Sequence, residues 1–161
     1  MNTEEHRSFK YWPLICLILI AAMIAMVLSY RTFEMGWMHY FMGMFLTQFA
    51  MLKLFNPSRF ADGFQKYDLI ASRSRAYAYL YPFIELGLGL SYLSFFHPQA
   101  TYIVTIVVLG VGAIGVIKAL RQGLELRCAC MGTVLDVPLS TVTLVEDIGM
   151  VAMATILLLT Y

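Results

Sequence analysis

Apolar residues along the chain gather into five long runs, at residues 12–30, 36–55, 76–96, 99–118 and 139–160, separated by shorter polar connections. Each run approaches the roughly 20 residues that an α-helix needs to cross the hydrocarbon layer of a bilayer. Aromatic residues mark several of the ends, among them Trp12, Tyr30, Trp37, Tyr77, Phe95 and Phe96, where amphipathic rings anchor helices at the membrane interface. Between the second and third runs, "NPSRFADGFQKYDLIASRSR" (56–75) interleaves Phe60, Phe64, Tyr67 and Leu69 with charged residues. Asn56-Pro57 breaks the preceding helix, and the alternation predicts an interfacial amphipathic helix, not a sixth span. The first run lacks an A-x-A cleavage pattern and is long enough to span, so it is expected to be retained. The pattern therefore predicts an all-α integral membrane protein with five transmembrane helices and one interfacial helix, as a single transmembrane domain over residues 1–161.

Composition supports that class. The chain is 60% hydrophobic and 13% charged, with a mean hydropathy of +0.74, far from the balance of a soluble domain. A net charge of +1 without a long basic run offers no footprint for nucleic acid, and the expected partner is the lipid bilayer. With the amino terminus in the cytoplasm, Arg7, Lys10, Lys53, Arg59, Lys66, Arg73, Arg75, Lys118, Arg121 and Arg127 all fall inside, and only Arg31 falls outside. That bias predicts a cytoplasmic amino terminus and an outward carboxyl terminus.

The same orientation turns the polar connection "RCACMGTVLD" (127–136) toward the cytoplasm. Thiols there are kept reduced, so Cys128 and Cys130 suit a soft metal or transient redox chemistry better than a lasting disulfide. Soft thiolates select Cu(I) and similar ions. A disulfide between them would close a very small ring and be labile. Packing of two small cysteines at a helix junction is the bland alternative, against which stands Arg127, whose charge favours the thiolate. Beyond this connection, Glu146 and Asp147 lie about two turns into the fifth run, where a carboxylate is costly and marks a functional site by default. Helical spacing puts Thr143, Glu146, Met150 and Met153 on one face, with Asp147 about 100° away. Pairing of both acids with Lys118 or Arg121 in a wet vestibule is the structural alternative.

Methionine is frequent, eleven in all. In "EMGWMHYFMGM" Met38 and Met42 share a helical face with His39 beside them, a thioether and imidazole set suited to Cu(I). Met23, Met26 and Met51 fit ordinary packing, as does Cys16. Glu85 sits in "YPFIELGLGL" beside Gly87 and Gly89, which allow close helix approach and burial of the carboxylate against Lys53 in a structural pair. Gly110, Gly112 and Gly115 form a G-x-G-x-x-G in an apolar run, where helix packing accounts for them. The chain carries no Ser-His-Asp arrangement, phosphate loop or H-E-x-x-H.

At "MLKLFNPSRFADGFQKYDLI" (51–70), "YPFIELGLGL" (81–90) and the Cys-x-Cys-x-Gly of Cys128, Cys130 and Gly132, the chain resembles the MauE/DoxX-type membrane proteins, which are redox-associated or linked to methylamine utilisation. The resemblance covers residues 36–161 and implies a four-helix core, with 12–30 as an added amino-terminal span. "WMHYFMG", "YDLIA" and "CACMGTVLDVPLSTVTLVED" are similar to a subgroup found with, or fused to, heavy-metal-associated domains. That subgroup implies a metallochaperone of this type or a metal-pumping ATPase as partner. The family pattern Cys-Gly-Cys-Phe-Gly is altered here to Ala129 and Met131, and Glu146 and Asp147 replace basic or amide residues in the last helix.

Two functions are expected from these features. The first is a non-enzymatic bundle in the bacterial inner membrane that binds and passes on Cu(I), or Ag(I) or Hg(II), through Cys128, Cys130, Glu146, Asp147, Met150, Met38, His39 and Met42. The second is a thiol-disulfide protein in which Cys128 and Cys130 cycle to serve a partner's maturation. A third, weaker expectation is an assembly subunit whose glycine faces dock another membrane protein or a second copy of the chain.

Overall fold

The computed structural model describes residues 3–31, 35–122 and 139–160. Its elements are α1 (Thr3–Leu28) with a single 3-10 turn at Ser29–Arg31, α2 (Met35–Phe55), α3 (Pro57–Phe64), α4 (Arg75–Ser94), α5 (Pro98–Arg121) and α6 (Leu139–Thr160). No strand occurs among the described residues. The five apolar runs each become a helix, and α1 starts well before the first run because the charged residues ahead of it continue the same helix.

Local chemistry sets the boundaries. The Asn56 side chain accepts a hydrogen bond from the Arg59 amide at 3.3 Å, with Pro57 in the first helical turn of α3, the preferred capping arrangement. Ser74 caps α4 through the Tyr77 amide at 3.4 Å. The tight α4–α5 turn places Phe95 and His97 in the left-handed region, with φ of 53° and 41°, before Pro98 opens α5. A bulky residue adopts that conformation only when its surroundings hold it there. For Phe95 they do, since its ring stacks on His39 at 4.4 Å.

α2 packs chiefly against α4, α5 chiefly against α6, and α1 lies along α2. The α2–α4 seam is close because two glycines face each other. A Cβ at Gly89 would fall 2.5 Å from Thr47 Oγ1 and 3.0 Å from the Gly43 carbonyl, whereas one at Gly87 would meet nothing within 4 Å. Of Gly87 and Gly89, only Gly89 serves helix approach, opposite Gly43. The ends of α2 and α5 and the starts of α4 and α6 share one end of the bundle with α3.

One expectation is corrected. The segment 56–75 is helical only over Pro57–Phe64 and continues in turns. Its apolar face is turned into the protein: Phe60 and Phe64 are buried and stack on Tyr81 at 6.1 and 4.5 Å, leaving Leu69 and Ile70 exposed. Among the described residues, Pro98–Arg121 is the one helix long and apolar enough by itself to cross a membrane, and α1 adds the shorter apolar stretch Leu14–Leu28. α2 and α4 interrupt their apolar runs with His39, Gln48, Lys53, Glu85 and several tyrosines. Five crossings therefore go beyond what length and hydropathy establish.

Candidate functional site

Five helices and the segment after α3 converge on a buried ionic cluster. Lys53, near the end of α2, pairs with Glu85 in the middle of α4, and their side chains are only 7% and 4% exposed. The Lys53 ammonium also stands 5.1 Å from the centre of the Tyr81 ring and 5.5 Å from that of Phe60, so α3 and α4 clothe the charge with aromatic faces. The Tyr81 hydroxyl is a polar neighbour of the Glu85 carboxylate. From the other helix pair comes Asp147, buried in α6 and within electrostatic range of Lys53, Glu85 and Asp68. It lies against α5 at Gly112, where a Cβ would meet Asp147 Oδ2 at 3.5 Å and the Tyr81 hydroxyl at 3.8 Å, ordinary contact distances. Asp68 is 1% exposed and is anchored by its Oδ1, which accepts from the amides of Ile70 and Ala71 at 2.9 and 2.7 Å.

α6 presents a different acid from the one that spacing favours. Asp147, Met150, Ala154 and Leu157 form its buried face, and Glu146 is half-buried. Glu146, Met150 and Met153 do come together, but along an apolar groove of about 420 Å³ whose other walls include Leu14 and Ile18 of α1 and Phe41 and Phe45 of α2. Lys118 and Arg121 are exposed at the end of α5, and the cation that Asp147 senses is Lys53.

At the opposite end, His39 is buried and makes a second polar joint. Its Nδ1 lies 3.3 Å from the Tyr92 carbonyl, which can only accept, so Nδ1 carries the proton and donates. Nε2 then accepts from the Tyr102 hydroxyl. Both ring nitrogens are thus engaged by α4 and α5. Met42 and Met150 are buried in the apolar core, and Met38 and Met153 pack against it. Among the described residues, no three His, Cys, Asp or Glu side chains are placed to hold one metal ion. Cys128 and Cys130 lie outside the described residues, in the stretch of sequence between α5 and α6. Cys16 is half-buried in α1.

Tyr81, Asp68, Tyr92 and Tyr102 complete these two joints without standing out in the sequence. A signal existed for Asp68, an acid followed by amides it could cap in "YDLIA"; the tyrosines look like ordinary interface anchors.

The arrangement defines a helical bundle that stores charge in an apolar interior, with polar joints between its halves. The family model of the methylamine utilisation protein MauE matches residues 12–160, and the chain belongs to this family of membrane proteins. The match takes in the first apolar run together with the rest of the bundle. No curated protein and no solved structure matches the chain.

Proposed function

We propose that the protein is a five-crossing bundle of the bacterial inner membrane that supports maturation of a partner protein by thiol-disulfide exchange at Cys128 and Cys130. The observation that carries this reading is the MauE family match over residues 12–160. The excess of Lys and Arg at the α3 end argues for that end facing the cytoplasm, where the pair rests as a dithiol. The thiolate of one cysteine attacks a disulfide of the partner, giving a mixed disulfide. The second thiolate displaces the partner, which leaves as a dithiol, and a Cys128–Cys130 disulfide remains for a cytosolic dithiol protein to reduce. Single Cys128→Ser and Cys130→Ser variants test this in cells: one of them accumulates a mixed disulfide with a membrane or cytosolic partner. Absence of any such adduct from both variants overturns it.

Transfer of a soft metal, Cu(I) foremost, is the second reading. It is favoured by the Cys-x-Cys spacing, which lets two sulfurs reach one soft ion, and its partner would be a metallochaperone or a metal-pumping ATPase. A route through Met38, His39 and Met42 would have to displace the hydrogen bonds of His39, so the site would centre on the two thiols. Copper bound in equal molar amount to the wild type and lost in the Cys128→Ser, Cys130→Ser variant supports this reading; equal copper in both sinks it.

A further inference from the structure

The ionic cluster adjoins a polar recess of about 130 Å³ at the α3 end, into which Lys66, Asp68, Ser72, Lys118 and Gln122 project. At roughly 30 Å³ per water, this is room for a few water molecules. Asp68 belongs to both places. Its Oδ1 is held by two amides, whereas its Oδ2 is buried with no hydrogen-bond partner, a costly state for a carboxylate oxygen unless a proton or water satisfies it. Two glycines of α5, about one helical turn apart, mark where Asp68 and Asp147 lie against that helix. A Cβ at Gly115 would fall 2.6 Å from the Tyr67 carbonyl and 3.2 Å from Asp68 Cα, whereas one at Gly112 would reach Asp147 Oδ2 and the Tyr81 hydroxyl at ordinary contact distance. Three residues of helix separate the two glycines, a rise of about 4.5 Å. The polar groups therefore follow in order from the recess: Asp68, Asp147, Tyr81, then the Glu85–Lys53 pair.

The charges do not balance. Asp147 is faced by Lys53 from α2, by Tyr81 and Glu85 from α4, and by Asp68 from the segment after α3. Glu146 neighbours it on α6, and α5 contributes Gly112, with Lys118 only at the recess. Tyr67 and Tyr77 surround Tyr81. Three buried carboxylates share one buried ammonium, and such a group retains a proton in place of one negative charge. Lys66 and Lys118 at the recess disfavour an inorganic cation as the neutralising ion, whereas water delivers a proton past them.

We infer that Asp68 passes protons between the recess and Asp147, so that the buried cluster exchanges protons with the solution at the α3 end. This exchange is independent of the thiol chemistry proposed for Cys128 and Cys130. The test uses the full chain in lipid vesicles, transferred from H₂O to D₂O, with the infrared band of the protonated carboxyl followed in time. Asp147→Asn removes the band and so assigns it. Asp68→Asn keeps the Oδ1 acceptor that caps Ile70 and Ala71 but cannot relay a proton as an acid does; it slows the deuterium shift of the Asp147 band by about ten-fold or more. Should that variant fail to fold, Ser72→Leu, which fills the recess from an exposed position, gives the same slowing. A band that exchanges at the wild-type rate in the folded variant, or no band that depends on Asp147, overturns the inference.

Discussion

Lys53 Nζ lies 2.5 Å from both carboxylate oxygens of Glu85, so one ammonium bridges α2 and α4 from inside the bundle. Removing either partner leaves a buried charge without its counterion, which costs about 3–5 kcal/mol in proteins generally. Lys53→Met is therefore expected to lower the denaturant midpoint of the detergent-solubilised protein sharply. The double variant Lys53→Met, Glu85→Leu is expected to regain part of the loss, because the Glu85 carboxylate no longer stands without its ammonium, although Asp147 still loses Lys53 as its neighbouring cation. Equal midpoints for the single and double variants would show that the pair does not act as a unit.

The glycines of α4 give a matched comparison. Gly89→Ala forces a methyl group to 2.9 Å from the Thr47 amide and 3.0 Å from the Gly43 carbonyl, and the helices must part, at about 1–3 kcal/mol. Gly87→Ala enters open space and gains helix propensity of roughly 0.5–1 kcal/mol. Thermal unfolding of the two variants should move in opposite directions.

His39→Ala removes the hydrogen bonds to the Tyr92 carbonyl and the Tyr102 hydroxyl and the stack on Phe95. Each lost hydrogen bond costs about 0.5–1.5 kcal/mol, so the unfolding temperature falls. With both of its nitrogens engaged by protein groups, His39 is expected to make no difference to copper binding. A variant that folds as the wild type but loses bound copper would assign the imidazole to a metal after all.

The orientation drawn from charge is open to labelling. In a Cys16→Ser background, a membrane-impermeant thiol reagent is expected to modify Cys128 and Cys130 in inverted vesicles and not in intact spheroplasts. The reverse pattern would place the connection on the oxidising side, and the thiol pair would then act as the oxidant of its partner.

Helix positions were legible because their determinants are local: Asn56-Pro57 ends one helix and starts the next, and Pro98 opens α5. Glu85 and Lys53 were legible as a pair, since a carboxylate in an apolar run requires a partner and Lys53 sits at a matching depth. The choice between Glu146 and Asp147 was not. Adjacent acids differ by about 100° around a helix, and which one turns inward depends on where Lys53, from a helix remote in sequence, comes to rest. His39 shows the same limit. Its neighbours in sequence suggest a soft-metal stripe, but Tyr92 and Tyr102, 53 and 63 residues away, claim both of its nitrogens.

The two polar joints lie at opposite ends of the seam between the α2–α4 pair and the α5–α6 pair. Within lipid, apolar contact gives helices no solvent-driven reason to prefer one partner or one sliding position over another. Two pegs at separate heights remove that ambiguity: a shift of one pair along the other would pull both out of their sockets together. The registration of the whole bundle thus depends on a handful of polar atoms, and the greasy surfaces between them are free to drift in sequence as long as their volume is kept.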